Sequence, residues 1–144
     1  MDVRPASENP FPWGAAATPY EELGGEARVR ALADAFYAII DEESPVLRAM
    51  LPKDLSVSSQ KLFEFLSGWM GGPGLYWERH GHPRLRMRHV RFPIDDHAAN
   101  EWSRCMDGAL DRIGAADPVK EFLSAELGKA AQSLRNMVSP DPTL

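Results

Sequence analysis

Apolar residues recur every three to four positions along most of this chain, and the rhythm breaks only at glycines and prolines. Thr18 stands as an N-cap before "PYEEL", Pro19 suits a first helical position, and Glu21 completes a capping box. Gly24-Gly25 then stops this short helix. From Glu26 to about Glu43, Val29, Leu32, Ala33, Phe36, Tyr37, Ile39 and Ile40 keep helical spacing until Ser44-Pro45. A short helix is predicted over Val46 to Met50, stopped by Leu51-Pro52. A longer one runs from about Ser56 to Met70, with Leu62, Phe65, Leu66, Trp69 and Met70 on one face. Gly71-Gly72-Pro73-Gly74 breaks it, and the Arg-rich loop that follows holds one or two helical turns near Leu85–His89. Asp95 caps the next helix, striped by Ala98, Trp102, Cys105, Met106, Ala109 and Ile113. Asp117-Pro118 opens the last, whose stripe passes through Val119, Phe122, Leu123, Leu127, Ala130, Ala131 and Leu134 to Val138, before Ser139-Pro140. No segment alternates with period two and no repeat is present, so the fold class is all-α.

Residues 1–17 depart from this pattern. Pro5, Pro10, Pro12 and Gly14 lie among polar residues and alanines, which reads as a flexible Pro-rich N-terminal extension, from which Phe11 and Trp13 could dock on the body or on a partner. The domain is expected over residues 18–138, with 139–144 a tail. At 144 residues the chain supports one core. No apolar run approaches the ~18–20 residues of a membrane span, and the N-terminus lacks a secretory apolar region, so a cytoplasmic setting is expected. The one cysteine, Cys105, excludes an internal disulfide and any multi-cysteine metal site. In mid-stripe on a helix it reads as a buried inert thiol.

Charge sharpens one region. The chain carries a net −5, yet "RHGHPRLRMRHVRFP" from Arg79 to Pro93 holds five arginines, three of the four histidines and no acid. Against so acidic a remainder, general nucleic-acid binding is disfavoured. Zinc could be held by His80, His82 and His89 with Asp95, Asp96 or His97, but crowded guanidinium groups oppose a dication and the spacing matches no strong zinc motif. There is no strand leading into a Gly-rich phosphate loop. An apolar helical pocket with one imidazole and several cations suits haem, among other options. The macrocycle needs an apolar slot, the iron an imidazole, and the propionates polar or cationic partners at the rim.

The motifs "YEELGG", "AFYAII", "FLSGWMGGP", "RHGHPRLRMRHVRFPI" and "EWSRCM" resemble those of the truncated haemoglobins, specifically the second group, over roughly residues 19–137. The resemblance implies a two-over-two helical sandwich around haem b (iron protoporphyrin IX). It makes His89 the proximal iron ligand, its Nε2 on the metal and its Nδ1–H held by an acceptor. Tyr37 and Trp102 become distal donors toward a bound O₂, which carries partial negative charge. Leu51 stands at a corner where the group usually has Tyr, His or Phe; an aliphatic side chain cannot donate, which thins the distal network. Ser58 and Tyr76 join the haem rim, with Lys61 reaching a propionate and Arg86 or Arg88 adding charge. Leu62, Phe65 and Leu66 wall the distal side, and Leu85, Met87 and Phe92 the proximal side. His80, His82 and His97 are left as structural or solvated residues.

The function implied is reversible O₂ binding, with NO and CO as further diatomic ligands and redox chemistry on NO or peroxide open beside it. Such turnover would need a separate reductase, since the chain carries no flavin or nicotinamide domain. The rival reading is a non-haem helical interaction or regulatory module that docks an acidic partner on the basic loop.

Overall fold

A computed structural model describes residues 9–137. The described residues form eight helices: α1 (Pro19–Leu23), α2 (Glu26–Glu43), α3 (Pro45–Arg48), α4 (Ser56–Trp69), α5 (Leu75–His80), α6 (Leu85–His89), α7 (Asp96–Arg112) and α8 (Asp117–Ser133). The four long helices make the sandwich: α2 packs on α4 and on α7, and α7 packs on α8. Their apolar stripes meet in one core, where Val29, Leu32, Ala33, Leu66, Cys105, Ala109, Leu110 and Leu123 are fully buried.

Local chemistry fixes the helix ends. The Glu21 N–H donates to the Thr18 hydroxyl at 3.1 Å, and the Ala98 N–H to the Asp95 carboxylate at 2.9 Å. The other half of the expected capping box is built differently. Glu22, not Glu21, turns back, its Oε1 accepting the Ala15 and Ala16 N–H groups at 2.9 Å each. At the end of α4 the Tyr20 N–H donates to the Met70 carbonyl at 3.0 Å, tying α1 to the Gly-rich break. Gly72 is required there, because a Cβ would lie 2.4 Å from the Tyr20 ring. Between layers, the Ser44 hydroxyl donates to Glu101 at 3.1 Å and the Ser59 hydroxyl to Asp34 at 2.6 Å.

Three features differ from the sequence reading. Helix α5 occupies residues for which no helix was predicted. It is held to α4 by Glu64, a carboxylate 2% exposed that accepts from Arg79 at 2.6 Å and pairs with His80 at 3.0 Å. Helix α8 stops at Ser133 instead of running on to Val138, because the Asn136 and Met137 N–H groups donate to the Ile94 carbonyl at 2.8 and 3.1 Å. The Val138 end of that stripe, Ser139-Pro140 and the 139–144 tail lie outside the described residues, as do residues 1–8. Within the stretch read as a flexible extension, Trp13 stacks on Phe11 and meets the Phe122 ring of α8 edge-on at 5.1 Å.

Candidate haem site

Helix α2 presents Phe36 and Tyr37 side by side. Phe36 is buried and touches two aromatic neighbours: the Tyr37 ring at 5.2 Å and the Trp102 ring of α7 at 5.1 Å. The structure therefore brings the two expected distal donors together around one phenyl ring. Neither the Tyr37 hydroxyl nor Trp102 Nε1 makes a hydrogen bond among the described residues, although both side chains pack against the core. Burial pushes the Tyr37 phenol up to about 12, which keeps it protonated and a donor at any physiological pH. Leu51, just past α3, is half-buried on the same core and offers no polar group.

A second cluster forms around α6. The His89 ring nitrogen Nδ1 lies 2.6 Å from the Leu85 carbonyl. A carbonyl only accepts, so Nδ1 carries the proton, and in the neutral ring the Nε2 lone pair is left for a metal. Leu85 and His89 are half-buried at i and i+4, and the Phe92 ring lies 6.2 Å from that of His89. The other face of α6 is solvated: Met87 is 65% exposed. The structure separates the two candidate rim arginines. The Arg88 guanidinium lies 5.7 Å from the centre of the Tyr76 ring, and Tyr76 meets Phe65 of α4 edge-on at 6.4 Å. Arg86 instead lines a groove with Asp96 and the end of α8.

The remaining expected residues lie on α4. Ser58, Leu62 and Phe65 are half-buried, and Lys61 is exposed without an ion pair among the described residues. Leu66 is fully enclosed in the core, so it packs the sandwich and presents no surface to a ligand. His80 pairs with Glu64, the His82 Nδ1 accepts the Arg84 N–H at 2.9 Å, and His97 is exposed. Among the described residues no three His, Cys, Asp or Glu side chains are gathered to hold a metal ion. Burial pushes the Cys105 thiol up, as expected of an inert core cysteine. Two contributors escaped the sequence reading. Phe36 was seen only as one residue of a core stripe. Asn136 sits in a stretch read as helix, yet bonds the carbonyls of His89 and Phe92.

Comparison with known proteins accounts for this arrangement. Residues 18–136 match the model of the family described as bacterial-like globin. The chain is 38% identical to a group 2 truncated haemoglobin of Bacillus subtilis over 123 residues, which is 85% of this chain and 92% of that protein. The chain belongs to the group II truncated haemoglobins.

The group II truncated haemoglobin of Bacillus anthracis superposes on this one with a TM-score of 0.85 at 36% identity, covering 90% of this chain and 98% of that one. A structure described as a truncated oxygen-avid haemoglobin from Bacillus subtilis gives a TM-score of 0.78 at 39% identity, covering 83% and 99%. The two pairs of long helices are thus the two-on-two globin sandwich. Haem binding and diatomic-ligand binding follow for this haemoglobin from its family. Among the described residues no helix is long and apolar enough to cross a membrane.

Proposed function

We propose that this haemoglobin holds haem b through His89 and binds O₂ reversibly, with Tyr37 and Trp102 as the groups that retain the ligand. When bound, the haem supplies the iron at which a diatomic ligand is held; the protein supplies orientation and hydrogen bonds. The donor set fits that group. His89 has its Nδ1–H engaged by the Leu85 carbonyl at 2.6 Å and its Nε2 available. Half-buried Leu62, Phe65, Leu85 and Phe92 offer apolar surface for a macrocycle. Tyr76 with Arg88, together with Ser58 and Lys61, offers polar groups to carboxylates at the rim. Arg86 and Met87 are not needed for this, since both turn to solvent or to the α8 groove.

One observation carries the choice of O₂. Two donors, the Tyr37 hydroxyl and Trp102 Nε1, belong to rings packed on Phe36 and have no partner among the described residues. A ligand that gains negative charge on binding is selected by such donors, whereas an apolar one gains little from them. The oxygen-avid description of the Bacillus subtilis relative agrees with this reading. A cytoplasmic setting belongs to the same proposal.

The test is direct. Purified protein should show a Soret band, give the pyridine haemochrome spectrum of haem b, and form a stable oxygenated species that releases O₂ under argon. A colourless protein that fails to take up added haemin would point to the interaction module instead. Rapid oxidation with no recoverable O₂ would replace reversible binding by redox turnover.

A further inference from the structure

Helix α6 carries His89 but has little hold on the rest of the molecule. None of its residues is buried. It begins after Arg84, whose φ of 47° places a non-glycine residue in the left-handed region. Its local hydrogen bonds stay within the segment: the Arg84 N–H to His82, Arg88 Nε to the Pro83 carbonyl at 2.8 Å, and His89 Nδ1 to the Leu85 carbonyl. A five-residue helix without a buried face does not fix the position of a ligand by packing.

One residue supplies the missing anchor. Asn136 Nδ2 donates to the Phe92 carbonyl at 2.9 Å and to the His89 carbonyl at 3.2 Å. Its Oδ1 accepts the Ile94 N–H at 2.9 Å, and its own N–H returns to the Ile94 carbonyl at 2.8 Å. Among the described residues, every hydrogen bond from residues 84–94 to chain beyond His82 and Pro83 ends on Asn136 or Met137. Asn136 is itself placed by the end of α8 and by an ion pair between its neighbour Arg135 and Asp96 at the start of α7.

We propose that Asn136 is a positioning residue for the proximal ligand, clamping the backbone of His89 and Phe92 so that the imidazole is presented in one orientation. The proposal rests on the reading of His89 as the iron ligand. An amide is suited to the role because it donates twice and accepts once in a single plane, matching two carbonyls and an N–H. Aspartate keeps the acceptor for Ile94 but turns an oxygen toward two carbonyls. Alanine removes all three side-chain bonds and leaves the backbone pair to Ile94.

The experiment compares the full-length haem-loaded protein with Asn136→Ala and Asn136→Asp. Two readouts are used: the iron–histidine stretching band of the ferrous form by resonance Raman, and the rate of haem transfer to a scavenging apoglobin. Both variants should shift or broaden the band and speed haem transfer by about 10-fold or more, while the helical circular dichroism of the apoprotein stays unchanged. An unaltered band and transfer rate in both variants would overturn the proposal, even if the apoprotein melts earlier, because Asn136 would then serve only the fold. The absence of an iron–histidine band in the parent protein would remove the His89 reading itself, a distinct outcome that appears before any change at Asn136.

Discussion

Replacing Tyr37 by Phe removes one oxygen atom and should change ligand release strongly while leaving the stability of the apoprotein nearly unchanged. The Tyr37 hydroxyl has no hydrogen-bond partner among the described residues, and burial pushes its pKa up to about 12. In the role proposed for it, this hydroxyl donates to O₂ in the haem-loaded protein, and a hydrogen bond to a partly charged acceptor contributes about 1.5–3 kcal/mol. Its loss should speed O₂ release roughly 10- to 100-fold. In the apoprotein the same hydroxyl keeps access to water, since among the described residues no buried side-chain oxygen or nitrogen lacks a hydrogen-bond partner, so its removal costs the fold little. The phenyl ring of the variant keeps its edge contact with Phe36, at 5.2 Å in the parent. The apoprotein of the Tyr37→Phe variant should therefore melt within about 2 °C of the parent. Stopped-flow displacement of O₂ by CO measures the first effect, and thermal unfolding of the apoprotein measures the second. Unchanged release would make Trp102 the main donor. An apoprotein destabilised by about 1 kcal/mol or more would show that the hydroxyl serves the fold instead, and would refute the reasoning.

Further outcomes are expected. In a spectrophotometric alkaline titration of the apoprotein, the component missing from the Tyr37→Phe variant should titrate near 12. A folded pKa raised above 10.0 means that the stability from neutral Tyr37 is full below pH 10 and is lost between there and about 12; a midpoint near 10 would contradict the burial argument. Burial pushes the Glu64 carboxyl up, but hydrogen bonds from His80, Arg79 and Gln60, with the charge of Arg79, outweigh it and hold the group below its ordinary range. Its contribution is thus present at neutral pH and lost as pH falls below 4.5 through the folded value. Glu64→Gln should cost about 1–3 kcal/mol at pH 7 in a urea melt and show a flatter acid limb; an equally steep limb would assign acid sensitivity elsewhere. Gly72→Ala would set a methyl 2.4 Å from the Tyr20 ring, whose backbone is pinned to Met70. It should cost about 1–3 kcal/mol with an unchanged urea slope, and no shift in midpoint would mean that the ring moves freely.

The four long helices were legible because each carries enough apolar turns to reveal its period and ends in a strong stop signal. Helix α5 was not. Its six residues follow a Gly-Pro-Gly break, and its anchor is the buried Glu64, a charged residue that periodicity scores as solvent-facing. The end of α8 was misjudged for a related reason: Leu134 continues the stripe, but the carbonyl of Ile94, about forty residues earlier, captures the next N–H groups. At the site, resemblance marked His89, Tyr37 and Trp102; in the structure Nε2, the hydroxyl and the indole N–H make no hydrogen bond among the described residues. Equal arginine spacing could not separate Arg86 from Arg88; their different neighbours, Asp96 and Tyr76, do so. Leu66 and Phe65 share a helical face in sequence, but only Phe65 is left partly uncovered.

Phe36 makes the two proposed distal donors mechanically dependent. Its ring is 1% exposed and packs against both Tyr37 and Trp102, so any change in its size or tilt moves both at once. If Tyr37 and Trp102 hold the ligand as proposed, affinity is set by a three-ring cluster with one adjustable thickness rather than by two separable contacts. Substitutions at 37 and 102 should be non-additive when combined. A graded series at 36, from Phe to Leu to Val, would tune O₂ release without removing a hydrogen-bonding group, a route by which affinity can drift while every chemically active residue stays in place.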